Sequence, residues 1–227
     1  MKFDDTVIFI CEANALKSKI ILENIIEEKE LANFNLVTLC NGLEGSTRNY
    51  CIDSGIEVIS VDNKLESHIF VDIEERYPNC VYVLLGWPYI ISSEVVSLLS
   101  GRLINCHGSY LPDYRGSRAY MHYWSNIESY YGATIHYVTD KVDDGNILMQ
   151  RKIKLFLEET PEILHYRTSE ILAMMLPKAI EKVLNKDAGF EQVGLSRYFI
   201  KQNREYLYNL RQFNELNLAN KNISEFK

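Results

Sequence analysis

Short apolar runs alternate with segments of helical periodicity along the first hundred residues. Residues 6–11 form the first apolar run, and Ile20, Ile21 and Ile25 recur on a helical period within residues 15–29. The alternation predicts further strands over 35–40, 57–61, 80–85 and 102–106, and helices over 43–53, 65–77 and 92–99. Apolar strands that alternate with helices are typical of a parallel sheet covered on both faces. The predicted fold is therefore α/β, with a Rossmann-like, mostly parallel sheet.

The pattern changes in the second half of the chain. Two strand-like runs, 132–138 and 147–156, flank a polar loop over 139–146, and a long helix is predicted over 161–184. Pro177 lies inside that helix and is expected to kink it or split it in two. We expect a main domain over 1–187 and a tail over 188–227 whose apolar positions have helical spacing between about residues 201 and 216. The tail either docks on the main domain or forms a homodimer interface.

Composition narrows the classes of function. The length of 227 residues fits one domain with a small appendage. The 31 acidic residues outnumber the 24 basic ones, which disfavours nucleic acid as a partner and leaves small anions open. Every apolar run falls short of the ~20 residues that span a membrane, so no membrane partner is expected. The five cysteines include no C-x-x-C pair, which predicts buried free thiols and a cytoplasmic protein.

Candidate chemistry lies at the carboxyl end of the strand predicted over 102–106. Ligands of open α/β sheets bind beyond the carboxyl ends of the strands. Because side chains alternate along a strand, Asn105 and His107 share one face while Cys106 points the other way. An amide beside an imidazole can polarise a carbonyl and move a proton. The alternative is a capping asparagine next to an incidental histidine.

Two irregular segments follow this strand. Residues 110–116, Tyr-Leu-Pro-Asp-Tyr-Arg-Gly, form a loop rich in turn residues, and residues 138–146 form a polar loop for which a plain Asp-Gly hairpin turn is the alternative. Together, Ile-Asn-Cys-His-Gly-Ser-Tyr-Leu-Pro-Asp-Tyr-Arg-Gly over 104–116 and Gly-Ala-Thr-Ile-His-Tyr-Val-Thr-Asp-Lys-Val-Asp-Asp-Gly over 132–145 resemble the formyltransferase family that uses 10-formyltetrahydrofolate. The segment Leu-Gly-Trp-Pro-Tyr-Ile-Ile over 85–91 resembles that family's folate-binding turn.

The resemblance implies a formyltransferase fold and a catalytic set of Asn105, His107 and Asp143. The Asn105 amide and a protonated His107 would stabilise charge on the formyl oxygen, with Asp143 raising the pKa of His107 and relaying the proton of the amine. By the same resemblance, the bond between Leu111 and Pro112 is expected to be cis, and no metal is expected.

The resemblance also implies binding residues. Those expected to hold the folate are Trp87, Pro88, Tyr89, Ile90, Ile91, Val138, Asp140 and Asp144, and those expected to hold the amine substrate are Ser109, Tyr110, Tyr114 and Arg115. Arg115, Arg118 and, less favourably, Lys141 are candidates for meeting a diphosphate, against the alternative of solvated surface cations. The helically spaced Tyr120, Tyr123 and Trp124 are more typical of core than of a ligand site.

Two features of the sequence narrow the class of amine that is expected as the substrate. The loop over 11–16 has no glycine and contains an acid, which disfavours the phosphate of glycinamide ribonucleotide. The 38 residues after 189 are fewer than the ~50 of a minimal domain, which disfavours a tRNA-binding barrel. The expected substrate is a nucleotide-linked amino sugar, such as a dTDP-linked one, used in lipopolysaccharide O-antigen or other surface glycan synthesis. Another small amine, or a non-catalytic folate or sugar-nucleotide binding protein, remains an alternative.

Overall fold

The computed structural model describes residues 5–77 and 79–224. Residues 1–4, at the start of the predicted main domain, and 225–227, at the end of the predicted tail, lie outside the described residues. The strands are β1 (Thr6–Glu12), β2 (Asn35–Asn41), β3 (Glu57–Val61), β4 (Cys80–Leu85), β5 (Leu103–His107), β6 (Arg115–Gly116), β7 (Tyr130–Tyr137), β8 (Ile147–Lys154) and β9 (Tyr198–Phe199). The helices are α1 (Leu16–Glu27), α2 (Ser46–Asp53), α3 (Ser67–Arg76), α4 (Ser93–Leu98), α5 (Ala119–Ser125), α6 (Pro161–Leu184) and α7 (Arg204–Ser224).

The main sheet runs in the order β3-β2-β1-β4-β5-β7-β8. Its first five strands are parallel, whereas β7 is antiparallel to β5 and β8 is antiparallel to β7. This arrangement confirms the predicted α/β fold and its mostly parallel sheet. The short strands β6 and β9 pair with each other and were not predicted, since two residues leave no periodic signal.

Hydrophobic layers cover both faces of the sheet, as the apolar strands predicted. One face packs on α1 and α6, and Cys106 belongs to that layer. The other face packs on α3 and α4, and Leu103 belongs to it. The alternation of side chains therefore directs Asn105 and His107 toward the α3 and α4 face, at the carboxyl edge of the sheet.

The helix α6 is continuous from Pro161 to Leu184, so the expectation that Pro177 splits it was wrong. The hydroxyl of Thr160 accepts a hydrogen bond from the backbone N–H of Ile163 and caps the helix start. Leu172, Leu176 and Ile180 lie on its buried face and pack against the layer that includes α1. This packing compensates for the hydrogen bond that a proline removes from a helix interior.

The tail contacts the rest of the chain closely. Arg211, almost fully buried in α7, donates hydrogen bonds to the carbonyl oxygens of Trp124 and Leu157, and Asn214 donates to that of Ser125. Docking on the main domain is thus observed. The helix is longer than predicted, because its last turns carry no apolar periodicity that pattern analysis detects.

Other local predictions were tested by the structure. The bond between Leu111 and Pro112 is cis, as the resemblance implied. All five cysteines are free and buried, which confirms that prediction. The helix α2 begins at Ser46 instead of residue 43, because Gly45 packs directly on the backbone of Ala13. Within residues 5–77 and 79–224, no helix combines the length and apolarity needed to cross a bilayer.

Candidate active site

The structure brings Asn105, His107 and Asp143 into contact. The amide nitrogen Nδ2 of Asn105 lies 3.2 Å from Oδ1 of Asp143, and Nδ1 of His107 lies 3.4 Å from Oδ2 of the same carboxylate. The side chains of His107 and Asp143 are less than a tenth exposed. Three polar side chains from two distant stretches of chain therefore form one buried cluster at the carboxyl edge of the sheet.

The loop between β7 and β8 places Asp143. Its carboxylate oxygen Oδ2 accepts a hydrogen bond of 2.8 Å from the backbone N–H of Gly116. A Cβ at Gly145 would lie 1.9 Å from the carbonyl oxygen of Tyr137, so this loop closes only with glycine at that position. The Asp-Gly pair thus serves a tight turn, and the aspartate before it points inward as a functional group.

The charge state of the cluster follows from its burial and its contacts. Burial alone would raise the pKa of the Asp143 carboxyl, but His107, His136 and the Gly116 N–H together hold it well below its ordinary value. Burial lowers the pKa of His107, and Asp143 offsets only part of that effect. Asp143 thus raises the pKa of His107 as expected, but burial outweighs this effect, so the net shift does not favour the protonated His107 that the resemblance implied. The lowered pKa of Asp143 favours its charged form, and the lowered pKa of His107 favours the neutral imidazole.

The hydrogen atoms of His107 and Asn105 can be assigned from their partners. Nε2 of His107 lies 3.0 Å from the carbonyl oxygen of Tyr114, so this nitrogen carries the proton. Because Asp143 can only accept, the amide nitrogen of Asn105 faces it, and the second hydrogen of that nitrogen faces Nε2 of His136 at 3.2 Å. Both donors of Asn105 are thus engaged, and its Oδ1 remains as an acceptor.

His136 was missed by the sequence analysis. Its Nδ1 lies 2.8 Å from the carbonyl oxygen of Tyr137 and therefore carries the proton, so that Nε2 accepts from Asn105. His136 is the cross-strand partner of Asn105 in the β5–β7 ladder. The signal for it was present, since an alternating polar residue in the antiparallel neighbour of a functional strand faces the same side.

A first cavity of about 360 Å³ opens beside the cluster on the α3 and α4 face. Asn105, His107, His136 and Asp143 line it together with predicted folate residues, namely Trp87, Pro88, Tyr89, Ile90, Ile91, Val138 and Asp140. Asp144 is not among the residues that line this cavity, and its side chain pairs with Nη1 of Arg115 at 2.5 Å, so its assignment to folate binding stays a prediction. The side chain of Asp144 points away because the turn sends neighbouring residues to opposite sides.

The lining of the first cavity suits a flat ring with polar edges. Apolar side chains of Leu84 and Ile91 form walls, and the buried indole Nε1 of Trp87 has no protein acceptor among the described residues. A buried donor without a partner is costly unless a ligand accepts from it. These features fit the pterin that the resemblance implies. No group of three or more metal-ligating side chains occurs in the described part of the chain.

A second cavity of about 360 Å³ lies across the rim of the sheet, toward α1 and α6. Glu12, Arg118, Tyr120 and His165 line it. Among the described residues, those that line both cavities are Lys17, Gly86, Trp87, Pro88, His107, Gly116 and Ser117. The two cavities therefore meet beside His107, at the edge between β4 and β5.

The residues predicted to bind the amine substrate lie elsewhere. Ser109 and Tyr114 are fully buried, and Tyr114 stacks between the rings of Tyr123 and Phe199 at centroid distances of 3.8 and 4.5 Å. Neither residue lines either of the two cavities, so the assignment of Ser109 and Tyr114 to substrate binding stays a prediction that their burial disfavours. The core role preferred for Tyr123 is observed, because that residue is also buried.

The other two predicted substrate residues, Tyr110 and Arg115, also lie away from the two cavities. Tyr110 is partly exposed and packs beside the ammonium of Lys152, 5.7 Å from the centre of its ring. Arg115 pairs with Asp144 and donates to Gln192 at 2.8 Å. Its guanidinium therefore holds the loop, and its assignment to substrate or diphosphate binding stays a prediction.

Lys17 is a second residue that the sequence analysis did not identify. Its ammonium donates a hydrogen bond of 2.6 Å to the carbonyl oxygen of Cys106, between Asn105 and His107 in the chain. A lone lysine in the first turn of a helix carries no sequence signal of function.

A third cavity, of about 1060 Å³, is larger than the other two. It lies at the amino ends of β4 and β5, where Cys80 and Arg102 line it. None of Asn105, His107 and Asp143 is among its described lining residues. Volume alone therefore does not identify the chemical site, because the polar cluster lies at the opposite edge of the sheet.

The sequence of the chain was compared with those of known protein families and proteins. Residues 7–180 match the family described as "Formyl transferase". Over 88 residues the chain is 34% identical to the phosphoribosylglycinamide formyltransferase of Escherichia coli (strain K12), which covers 39% of this chain and 42% of that protein. It is 31% identical over 113 residues to the formyltetrahydrofolate deformylase of the same strain, covering 50% of this chain and 40% of that protein. The matched segments thus span less than half of these relatives.

Solved structures share the fold. The phosphoribosylglycinamide formyltransferase of Anaplasma phagocytophilum has a TM-score of 0.71 at 20% identity, covering 87% of this chain and 98% of that one. The N-formyltransferase of Helicobacter canadensis, in complex with folinic acid and dTDP-3-aminofucose, has a TM-score of 0.66 at 21% identity, covering 88% of this chain and 72% of that one. With the family match spanning residues 7–180, the chain belongs to the formyl transferase family.

Proposed function

We propose that the chain transfers the formyl group of 10-formyltetrahydrofolate to the amino group of a nucleotide-linked amino sugar, for surface glycan synthesis in the cytoplasm. The observation that carries this proposal is the meeting of two cavities beside His107. The first cavity, with its apolar walls and the unpartnered indole of Trp87, would take the folate. The second cavity would take the amine, so that the formyl group crosses the rim between them.

The hydrogen-bond partners of the cluster support the following order of steps in the proposed transfer. Oδ1 of Asn105 accepts a hydrogen bond from the incoming amine and directs its lone pair at the formyl carbon. Nδ1 of neutral His107 takes the proton that the amine loses, and the charged Asp143 at 3.4 Å stabilises the imidazolium that forms. The bond between the formyl carbon and the folate nitrogen then breaks, and that nitrogen takes the proton. His107 and Asp143 thus act as an acid–base pair.

The loop between β1 and α1 supports a substrate without a phosphate at that position. The carbonyl oxygen of Ala13 accepts from the backbone N–H groups of Thr47 and Arg48 at 3.0 and 3.2 Å, which holds the loop against α2. Glu12 lines the second cavity at the end next to this loop, where its negative charge would repel a phosphate bound beside it. Arg118, which lines the same cavity, is the favoured ligand for a diphosphate.

Glycinamide ribonucleotide is the second candidate substrate. The 34% identity to the phosphoribosylglycinamide formyltransferase of Escherichia coli favours it, although that match covers less than half of either chain. An amine with its charge remote from Glu12 fits the second cavity better.

The experiment is a substrate panel. The protein is mixed with 10-formyltetrahydrofolate and, in separate reactions, thymidine-, uridine- and guanosine-diphosphate amino sugars, glycinamide ribonucleotide and methionyl-tRNA. Release of tetrahydrofolate and a product heavier by one carbonyl group are measured. Turnover with a sugar nucleotide is the expected result. Turnover with glycinamide ribonucleotide alone would establish the second candidate, and folate binding without turnover would make the chain a binding protein.

A homodimer is a separate part of the proposal. The side of α7 that does not pack on α5 carries Tyr206, Phe213 and Leu216, each more than half exposed. A contiguous apolar helix face of this kind suits a two-fold contact between identical chains. Light scattering of the purified chain tests it: a strictly monomeric protein would overturn the dimer.

A further inference from the structure

Lys17 lies where the two cavities meet. Of the described residues that line both cavities, His107 and Lys17 are the ones with ionisable side chains. The ammonium of Lys17 donates to the carbonyl oxygen of Cys106 at 2.6 Å. An ammonium has three N–H donors, and no other protein acceptor for it occurs among the described residues. Two of its donors are therefore available to a ligand at the rim.

The donors of the cluster around Asn105, His107 and Gly116 are already engaged, while the free indole Nε1 of Trp87 is the donor proposed for the pterin. Both amide hydrogens of Asn105 face Asp143 and His136. The N–H of His107 donates a hydrogen bond to the carbonyl oxygen of Tyr114. The backbone N–H of Gly116 donates a hydrogen bond to the carboxylate of Asp143. A formyl oxygen placed between the cavities would therefore find no free hydrogen-bond donor in the cluster itself.

An oxyanion needs a donor that is already in place. Addition of the amine pushes the π electrons of the formyl carbonyl onto its oxygen, and a positioned donor in a buried site stabilises that charge. Burial lowers the pKa of Lys17 and Asp143 works against that effect, so the ammonium is poorly hydrated and close to the reacting atoms. A poorly hydrated ammonium donates a stronger hydrogen bond than one in water.

We propose that Lys17 donates a hydrogen bond to the formyl oxygen and stabilises the negative charge that develops there during transfer. The amine nitrogen forms the new bond to the formyl carbon while the carbonyl electron pair moves to the oxygen facing Lys17. When that pair returns, the bond to the folate nitrogen breaks, and the proton that His107 took from the amine goes to that nitrogen. Lys17 itself neither gains nor loses a proton over the cycle.

This inference rests on folate-dependent formyl transfer and is independent of which amine is the acceptor. Lys17→Met keeps the length of the side chain and removes its charge. Lys19→Met is the matched control, because Lys19 lies two residues further along α1 and pairs with Glu23 at 2.9 Å. Circular dichroism and thermal melting establish that each variant is folded, and Lys17→Arg provides a second variant that keeps the charge.

Two measurements test the inference. The kcat of Lys17→Met is expected to fall about 100- to 1000-fold with the KM for the folate within about threefold, while Lys19→Met stays within about twofold of the unmodified chain. Lys17→Arg is expected to recover part of the loss. The second measurement is the infrared carbonyl stretch of a carbon-13 formyl group on the bound donor, recorded without an acceptor amine so that no transfer occurs. This stretch is expected to move to higher frequency in Lys17→Met and not in Lys19→Met.

The outcomes separate this inference from the proposed function. A kcat within about threefold of the unmodified chain, an unchanged carbonyl stretch in Lys17→Met, or a rise in the KM for the amine with kcat unchanged would each overturn the role of Lys17. If no amine supports turnover, the substrate proposal fails, yet the infrared comparison still decides whether Lys17 contacts the formyl oxygen.

Discussion

The side-chain amide of Gln192 donates a hydrogen bond of 2.9 Å to the backbone carbonyl oxygen of Asp143. The same nitrogen donates to the carbonyl oxygen of Gly145 at 2.8 Å. Oε1 of Gln192 accepts from Arg115, whose guanidinium also pairs with Asp144. A tail residue therefore fixes the backbone of the loop that carries the central carboxylate, so the tail acts on the site as well as on the fold.

Replacing Gln192 by Leu is expected to lower kcat by about 10- to 100-fold. The change removes both hydrogen bonds to the loop, and small displacements of a reacting group reduce rates by such factors. Steady-state kinetics with the best acceptor measure it. Glu191→Gln, at the exposed neighbouring position, is the control and should remain within about twofold. An unaltered kcat in the Gln192 variant would show that the loop holds its position without the tail.

Replacing Asp143 by Asn is expected to lower turnover at least about 100-fold. The carboxylate is the charged partner of His107, and an amide cannot stabilise the imidazolium that forms when the amine loses its proton. Asp62→Asn removes one exposed carboxylate far from the cluster and controls for the change in net charge. Equal activities of the two variants would remove Asp143 from the mechanism.

His165 gives the folded protein a stability that depends on pH. Burial, followed by the nearby Lys17, lowers its pKa to about 4, against about 6.5 for a histidine in an unfolded chain. Between these values the unfolded state binds a proton that the folded state does not, so stability decreases as pH falls from about 6.5 toward 4. His165→Phe keeps the stack on Tyr120, whose ring centre lies 4.5 Å away.

Urea unfolding at pH 7 and pH 5 measures the effect of His165. The unmodified chain is expected to lose about 1–2 kcal/mol more unfolding free energy between these two pH values than His165→Phe does. The remaining pH dependence, which the variant shares, serves as the internal control. An identical loss in both proteins would mean that His165 titrates normally in the folded state.

The fold was predictable because its signals are local. The strands of the parallel part are short and rich in apolar residues, and Ile20, Ile21 and Ile25 lie on one helical face. The cluster at Asn105 and His107 was also within reach, since alternation along a strand places both side chains on one face. These features depend on a few consecutive residues, so one sequence is enough to find them.

The residues that the sequence analysis missed, or whose surroundings it did not predict, depend on contacts between distant parts of the chain. Tyr114 is buried because Phe199 of the tail stacks on it, and no sequence pattern around Tyr114 predicts that partner. Lys17 reaches Cys106 because α1 starts next to the end of β5, which only the strand order reveals. The pKa of His107 is lowered by burial, which sequence cannot measure.

Gly116 lies where the tail, the loop that carries Asp143 and the two cavities meet, so an added methyl group there is expected to disturb all of them. Its φ is +95°, and a Cβ there would lie 2.2 Å from the backbone carbonyl oxygen of Phe199 in β9. Gly116→Ala must therefore break the β6–β9 pairing, which displaces the N–H that holds Asp143. We expect a loss of roughly 2 kcal/mol or more in unfolding free energy.

The matched control for Gly116→Ala is Gly101→Ala. Gly101 has a similar positive φ of +75°, but nothing lies within 4 Å of an added Cβ, so that variant carries the backbone strain without the clash. Its cost is expected to be about 1 kcal/mol, with turnover within about twofold. Gly116→Ala should additionally lose at least about tenfold in kcat under conditions where it is folded, because Asp143 loses a hydrogen-bond donor. Equal effects of the two substitutions on stability and turnover would mean that backbone strain alone accounts for Gly116, and that the β6–β9 pairing does not position the carboxylate.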